Sequence, residues 1–178
     1  SVTQDGLYFA EGQVLALATP LTVDLSADPF WHLGETVTRP LASFSGVLMR
    51  KDPPFDMEYI YATYLLERAE AAGVPVFNRP ASLRDCNEKL FATQFPECCP
   101  PLLVSRDPTA LKAFHAEHGD VIFKPLDGMG GQSIFRVKEK DPNLNVILET
   151  LTDNGGVTIM AQQYLPAIKD GDKRVLMI

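Results

Sequence analysis

Apolar positions come in short runs and periodic stretches along the chain, and the first is broken by a turn signal. In LYFAEGQVLALATPL two apolar runs flank Glu11-Gly12, which predicts a β-hairpin. The following SADPFWHLGETVTRPLASFS shows neither a helical nor a strand period, and no element is assigned to it. Val47, Leu48 and Met49 form a short apolar run that predicts a buried strand, ahead of a charged loop closed by Pro53-Pro54. Met57, Ile60, Tyr61, Tyr64, Leu65, Ala69 and Ala72 then recur at i, i+3, i+4 spacing. That spacing predicts a helix buried along this face, capped by Asp56 and stopped by Gly73. VPVFN predicts a second strand. Strand, helix, strand is a parallel crossover. Ligands of such units sit beyond the carboxyl ends of the strands, and here that edge carries Arg50, Lys51 and Asp52.

The second half has a different rhythm. Ser82-Leu-Arg-Asp85 reads as a variant capping box opening a helix that carries Lys89. PPLLVS predicts a strand. Asp107-Pro108 predicts an N-cap followed by proline at the first helical position, with the helix running to Gly119. VIFK is a strand, DGMGGQ a glycine loop, SIFRV a return strand, PNLNVILETLT a helix and VTIMAQQYLP a strand ending in a bend. Asp170-Gly171-Asp172 predicts a turn into a last strand, KRVLMI. A boundary is expected near Arg79–Asp85.

Charge and composition narrow the class. The 178 residues carry 16 Lys+Arg against 23 Asp+Glu, a formal charge of −7, and show no basic face of the kind nucleic-acid binders present. No apolar run approaches the ~20 residues of a membrane span, and the first residues lack the pattern of a signal peptide. Three cysteines, two adjacent, make neither a disulfide framework nor a zinc pattern. The expectation is a reducing, cytoplasmic setting without nucleic-acid or membrane partners. Cys86 is expected to pack inside, and Cys98-Cys99 to lie in a loop. His115 and His118 are read as exposed on a polar helix face.

The chemistry concentrates in FKPLDGMGGQSIFRV. Gly128, Gly130 and Gly131 lie within four positions, where they weaken any regular element. Successive bare N–H groups can cradle a phosphate. Lys124 before the loop adds a charge, and Ser133 after it a hydroxyl. The order fits neither a Walker loop, whose lysine follows its glycines, nor a dinucleotide fingerprint, which opens a helix. A glycine hairpin covering a polyphosphate remains. So does a plain hairpin turn, because Asp-Gly and Gly-Gly are good turn chemistry with no ligand.

KPLDGMGGQSIFRV, RKDPPFDMEYIYATYLLERAE, LRDCNEKLF and QYLPAIKDGDKRVL together resemble the bacterial glutathione synthetase family of ATP-grasp ligases, from Gly46 to Ile178. The resemblance implies an α/β fold, α+β in its second part. Residues 1–84 would be a partial Rossmann-like, pre-ATP-grasp domain on the substrate side. Residues 85–165 would be the central lid subdomain of an ATP-grasp fold, and residues 166–178 the start of its last subdomain. It implies ligation of γ-glutamylcysteine to glycine through an acyl phosphate, using ATP with Mg²⁺ or Mn²⁺. Lys89 and Lys124 would hold the phosphates, under a loop of Gly128, Met129, Gly130 and Gly131, beside Ser133. Gln162, Gln163, Tyr164 and Leu165 would meet the adenine, with Asp172 in the nucleotide region. Arg174 would be catalytic, facing the reacting phosphate, and Arg50 would bind γ-glutamylcysteine.

The family pattern extends beyond both ends of this sequence. The chain is therefore expected to be incomplete, to lack the metal-binding acidic residues, and to be inactive by itself. The family also implies a homotetramer. Open alternatives are another ATP-grasp carboxylate–amine ligase and a non-catalytic nucleotide-binding module. Lys89 also fits a solvated helix position, Tyr164 and Leu165 a core, and Arg174 an ion pair with Asp170 or Asp172.

Overall fold

The computed structural model describes residues 1–51, 54–173 and 175. The chain divides into two compact units, Ser1–Cys86 and Asn87–Ile178.

In the first unit, β1 (Val2–Ala10) and β2 (Gln13–Ala18) form the expected hairpin. Glu11 and Gly12 both take positive φ, 52° and 78°, as a two-residue turn that matches strand twist requires. The stretch without a period holds three short strands. β3 (Leu21–Val23) pairs with β4 (Trp31–Leu33) as a separate ribbon, and β5 (Val37–Pro40) adds to β2. β6 (Val47–Leu48), α1 (Met57–Ala71) and β7 (Val76–Phe77) make the predicted crossover, with β6 and β7 parallel. The Asp56 carboxylate accepts the Tyr59 N–H at 2.9 Å, and Gly73 ends the helix at φ 92°. Asp56→Ala should cost about 1 kcal/mol, the usual worth of such a cap, read as a lower denaturation midpoint.

The buried face of α1 differs from the expected one. Tyr59, Ala62, Thr63, Leu66 and Ala69 are buried, whereas Met57, Tyr61 and Tyr64 are exposed. The helix is apolar on more than one side, so spacing alone left the choice open. The small side chains let it lie close, and Leu66 and Ala69 join Val14, Ala16, Leu41, Val74 and Val76 in one core. Arg84 lies over the exposed Tyr64 ring at 4.6 Å and reaches Glu67 at 2.7 Å. The next helix, α2 (Pro80–Asp85), starts before the expected capping box. Pro80 occupies its first turn, so Ser82 is an interior residue, Asp85 is the last of the helix and Lys89 lies beyond it in a turn. Cys86, expected to pack inside, is exposed just past the last turn of α2.

The second unit is a four-stranded antiparallel sheet backed by two helices. Its elements are β8 (Leu102–Ser105), α3 (Pro108–His118), β9 (Val121–Pro125), β10 (Phe135–Val137), α4 (Leu144–Thr152) and β11 (Ile159–Gln163). The strand order is β10-β9-β11-β8. Asp107 caps α3 through the Thr109 N–H at 2.9 Å, and Gly119 closes it at φ 71°. Strand alternation sorts the side chains. Val121, Phe123, Val137, Ile159 and Ala161 point to one face, where they pack with Leu111 of α3 and Leu148 of α4. Ile122, Lys124, Arg136, Met160 and Gln162 belong to the other face, as their cross-strand pairing requires.

His115 is buried, not exposed, and its Nε2 lies 3.3 Å from the Val137 carbonyl and 3.2 Å from that of Lys138. The histidine tacks α3 to the end of β10. His118 is part-buried and packs on Phe114, with ring centroids 4.3 Å apart. Of the expected last strand, Leu176, Met177 and Ile178 lie outside the described residues, as do Asp52, Pro53 and Arg174. No helix of the described residues is long and apolar enough to cross a membrane.

Candidate nucleotide site

The glycine loop joins β9 to β10 on the sheet, from Leu126 to Ile134. Its stem and tip differ. A Cβ added at Gly128 would lie 3.1 Å from Pro125 Cγ, so the stem is close-packed. Gly130 and Gly131 take φ of 65° and 77°, and a Cβ there would meet nothing within 4 Å. Glycine is needed at the tip for its backbone conformation rather than for lack of room. Ser133 follows at φ 56°, and Met129 is exposed.

Lys89 reaches this loop, and Lys124 stands on the strand that leads into it, near enough to feel the Lys89 charge. The Lys89 ammonium donates to the Gly128 carbonyl and to Glu88 Oε1 at 2.9 Å, with its side chain 12% exposed. It is therefore held, not a freely solvated lysine. Lys124 stands on the face of β9 opposite the one that packs on α3 and α4 and donates to Gln162 Oε1 at 3.0 Å. Burial, and next the positive charge of Lys89, push the Lys124 ammonium below the ordinary lysine value of 10.5, while Glu88 and Cys99 act the other way. A lysine ammonium that burial and a neighbouring cation both disfavour gains from a bound anion.

That shift has a consequence for pH. Between the lowered value and the ordinary one, the unfolded chain holds the Lys124 proton and the folded chain does not. Stability should therefore rise with pH through that window. An anion bound between the lysines favours the charged form, so its binding should draw in protons there. Calorimetry at alkaline pH in buffers of different ionisation heat should show proton uptake on ATP addition, reduced in Lys124→Met.

The bend after β11 is fixed from inside the same unit. Gln163 N–H donates to the Pro101 carbonyl and Tyr164 N–H to that of Asp120, both at 2.9 Å. Asp120 also grips Arg136 through two bonds, at 2.9 and 2.7 Å, and the Arg136 guanidinium lies 3.5 Å above the Tyr164 ring centre. Hydrogen bonds from Arg136 hold the Asp120 carboxyl below its ordinary range. Leu165 is exposed, and no described carbonyl accepts its N–H.

Lys89, Lys124, the glycine loop and Gln162 thus converge. Arg50 is exposed two residues beyond β6 in the first unit, and Asp172 is exposed in the turn after Gly171. Arg174 lies outside the described residues. Asn87, Asp120 and Arg136 carried no individual signal. Arg136 could have been found from the period-2 alternation that puts it on the face of Lys124. Among the described residues no group of three or more His, Cys, Asp or Glu could hold a metal ion, so they do not fit a metal centre.

Solved structures share the architecture. A D-cycloserine synthetase superposes with a TM-score of 0.56 over 72% of this chain and 46% of its own, at 18% identity. An ATP-grasp RimK domain protein from Sphaerobacter thermophilus gives 0.53 over 70% and 47%, at 24% identity. At such identities they show the fold, and the fold is that of the ATP-grasp proteins. Two family models then cover nearly the whole chain. The one described as prokaryotic glutathione synthetase, N-terminal domain, matches residues 1–84, and the one described as its ATP-grasp domain matches residues 88–178. The chain belongs to the prokaryotic glutathione synthetase family. Glutathione synthetase of Pseudomonas putida is 62% identical over 175 residues, 98% of this chain and 55% of the relative. That of Salmonella typhi is 56% identical over 172 residues, 97% and 55%. The chain spans about half the length of the curated relatives it matches.

Proposed function

We propose that this chain is the nucleotide-gripping and substrate-side portion of an ATP-dependent ligase that joins γ-glutamylcysteine to glycine. The observation that carries the reading is Lys89 seated on an open glycine loop, with Lys124 on the strand leading into that loop and within reach of its charge. Family membership supports the choice of substrates.

In the proposed reaction, the cysteinyl carboxylate attacks the γ-phosphorus of ATP, and the bond to the bridging oxygen breaks, releasing ADP. The glycine amine then attacks the acyl carbon. Phosphate departs and the nitrogen loses a proton as the amide forms. The two ammonium groups stabilise charge on the phosphoryl oxygens, and the tip N–H groups of Gly130 and Gly131 cover them. The Ser133 hydroxyl adds a donor. The bend from Gln162 to Leu165 offers the adenine the Tyr164 carbonyl and the Leu165 N–H, since the N–H groups of Gln163 and Tyr164 are already committed and the Leu165 carbonyl accepts from Ile168. Asp172 belongs to the nucleotide side, Arg174 to the reacting phosphate and Arg50 to γ-glutamylcysteine. The family implies Mg²⁺ or Mn²⁺ with the ATP. The described residues make no centre for that ion. A cytoplasmic homotetramer fits the family.

The test is ADP release by the native gene product with each substrate omitted in turn. Release that needs both γ-glutamylcysteine and glycine supports the reading. Release with another carboxylate and amine, but not these, would make the protein a different ATP-grasp ligase. Nucleotide binding without release would make it a binding module.

A further inference from the structure

We propose that Asn87 is a positioning residue that holds the Lys89 turn and the stem of the glycine loop in one register. Its side chain works in both directions. Oδ1 accepts the Lys89 N–H at 3.1 Å and the Leu90 N–H at 2.9 Å, which closes the turn that aims Lys89. Nδ2 donates to the Leu126 carbonyl at 3.2 Å, across 39 residues of sequence. An amide alone among small side chains carries both an acceptor and a donor at this length. Lys89 Nζ completes the ring of contacts by donating to the Gly128 carbonyl.

The stem is therefore pinned at Leu126 by Asn87, at Gly128 by Lys89, and against Pro125 by packing. Among the described residues, the tip, Met129 to Ser133, keeps only the Gln132 N–H to Met129 carbonyl bond at 3.3 Å. A pinned stem confines motion to the tip and delivers the loop to the same place relative to Lys89. The Lys89 bond to Gly128 also occupies that ammonium where a phosphate oxygen would otherwise sit. Asn87 keeps the turn and the stem together when that bond opens. The part of this inference that concerns phosphate rests on the proposed nucleotide site. The tether itself does not.

Two variants separate the roles. Asn87→Asp keeps the oxygen that closes the Lys89 turn, loses the donor to Leu126 and sets a carboxylate against that carbonyl. Asn87→Ser also keeps an acceptor, is too short to reach Leu126, and brings no charge near a phosphate. Thermolysin cleavage before Met129 is followed by mass spectrometry in the nucleotide-free native protein, with the melting temperature and the kinetic constants for ATP. Both variants should be cut there about three- to tenfold faster, the fold-change that the loss of one hydrogen bond gives. In Asn87→Ser the KM for ATP should rise by a similar factor, with kcat within about twofold and the melting temperature little changed. Parent-like cleavage in both variants overturns the tether. Faster cleavage with an unchanged KM upholds the tether and overturns the nucleotide reading instead.

Discussion

Lys124→Met lowers kcat/KM for ATP by about 10- to 100-fold and leaves the melting temperature unchanged or slightly higher. A hydrogen bond to a charged group is worth ~1.5–3 kcal/mol, and each 1.4 kcal/mol is tenfold. Methionine preserves the length and the apolar stem of a residue paired with Met160 across the sheet. It removes an ammonium that is half desolvated and repelled by Lys89, so the nucleotide-free protein loses little by the change. Activity and stability move apart, which a merely structural lysine would not allow. Steady-state kinetics and thermal denaturation of the same preparation read both. A loss of stability matching the loss of activity would remove Lys124 from the site.

Phe123→Ala has the larger effect on the fold, about 3–5 kcal/mol. Phe123 is fully buried and sits between Phe135 and Ala161 on the neighbouring strands, facing Leu111 and Leu148. Removing its ring opens a cavity at the centre of the four-stranded sheet of the second unit, on the strand that also carries Lys124. Since domains are stable by only ~5–15 kcal/mol, a large share of the margin goes with one side chain. Chemical denaturation should show the midpoint falling, with ATP affinity lost in parallel. A midpoint within experimental error of the parent's would contradict the packing described.

The elements that were legible in the sequence are those whose signals are local. Glu11-Gly12, Asp56 with Gly73, and Asp107-Pro108 with Gly119 each specify a turn or cap through residues a few positions apart, and each forms as expected. β3 and β4 were not legible, because three-residue strands carry too few positions to show a period. The face of α1 was misread because its apolar residues surround much of the helix, and only packing on β1 and β2 selects one side. His115 was misread because its partners, the Val137 and Lys138 carbonyls, are more than 20 residues away.

At the candidate site the residue types announced themselves, but their mutual placement did not. Three glycines after a lysine-bearing strand suggested a covering loop. Nothing in the spacing of Lys89 and Lys124 shows that their charges meet, or that Lys89 rests on the Gly128 carbonyl. Asn87 reaches Leu126 across 39 residues, and Asp120 and Arg136 meet across 16, so their side chains are ordinary in sequence and specific only in the fold.

The most direct measurement follows oxygen. γ-Glutamylcysteine carrying ¹⁸O in its cysteinyl carboxylate is incubated with the native protein, ATP, a divalent cation and glycine, and the products are weighed by mass spectrometry. One labelled oxygen should appear in the released phosphate and the other in the new amide carbonyl, because the carboxylate is phosphorylated before glycine attacks. Unlabelled phosphate, or labelled phosphate without the tripeptide product, would contradict the reaction proposed for this protein.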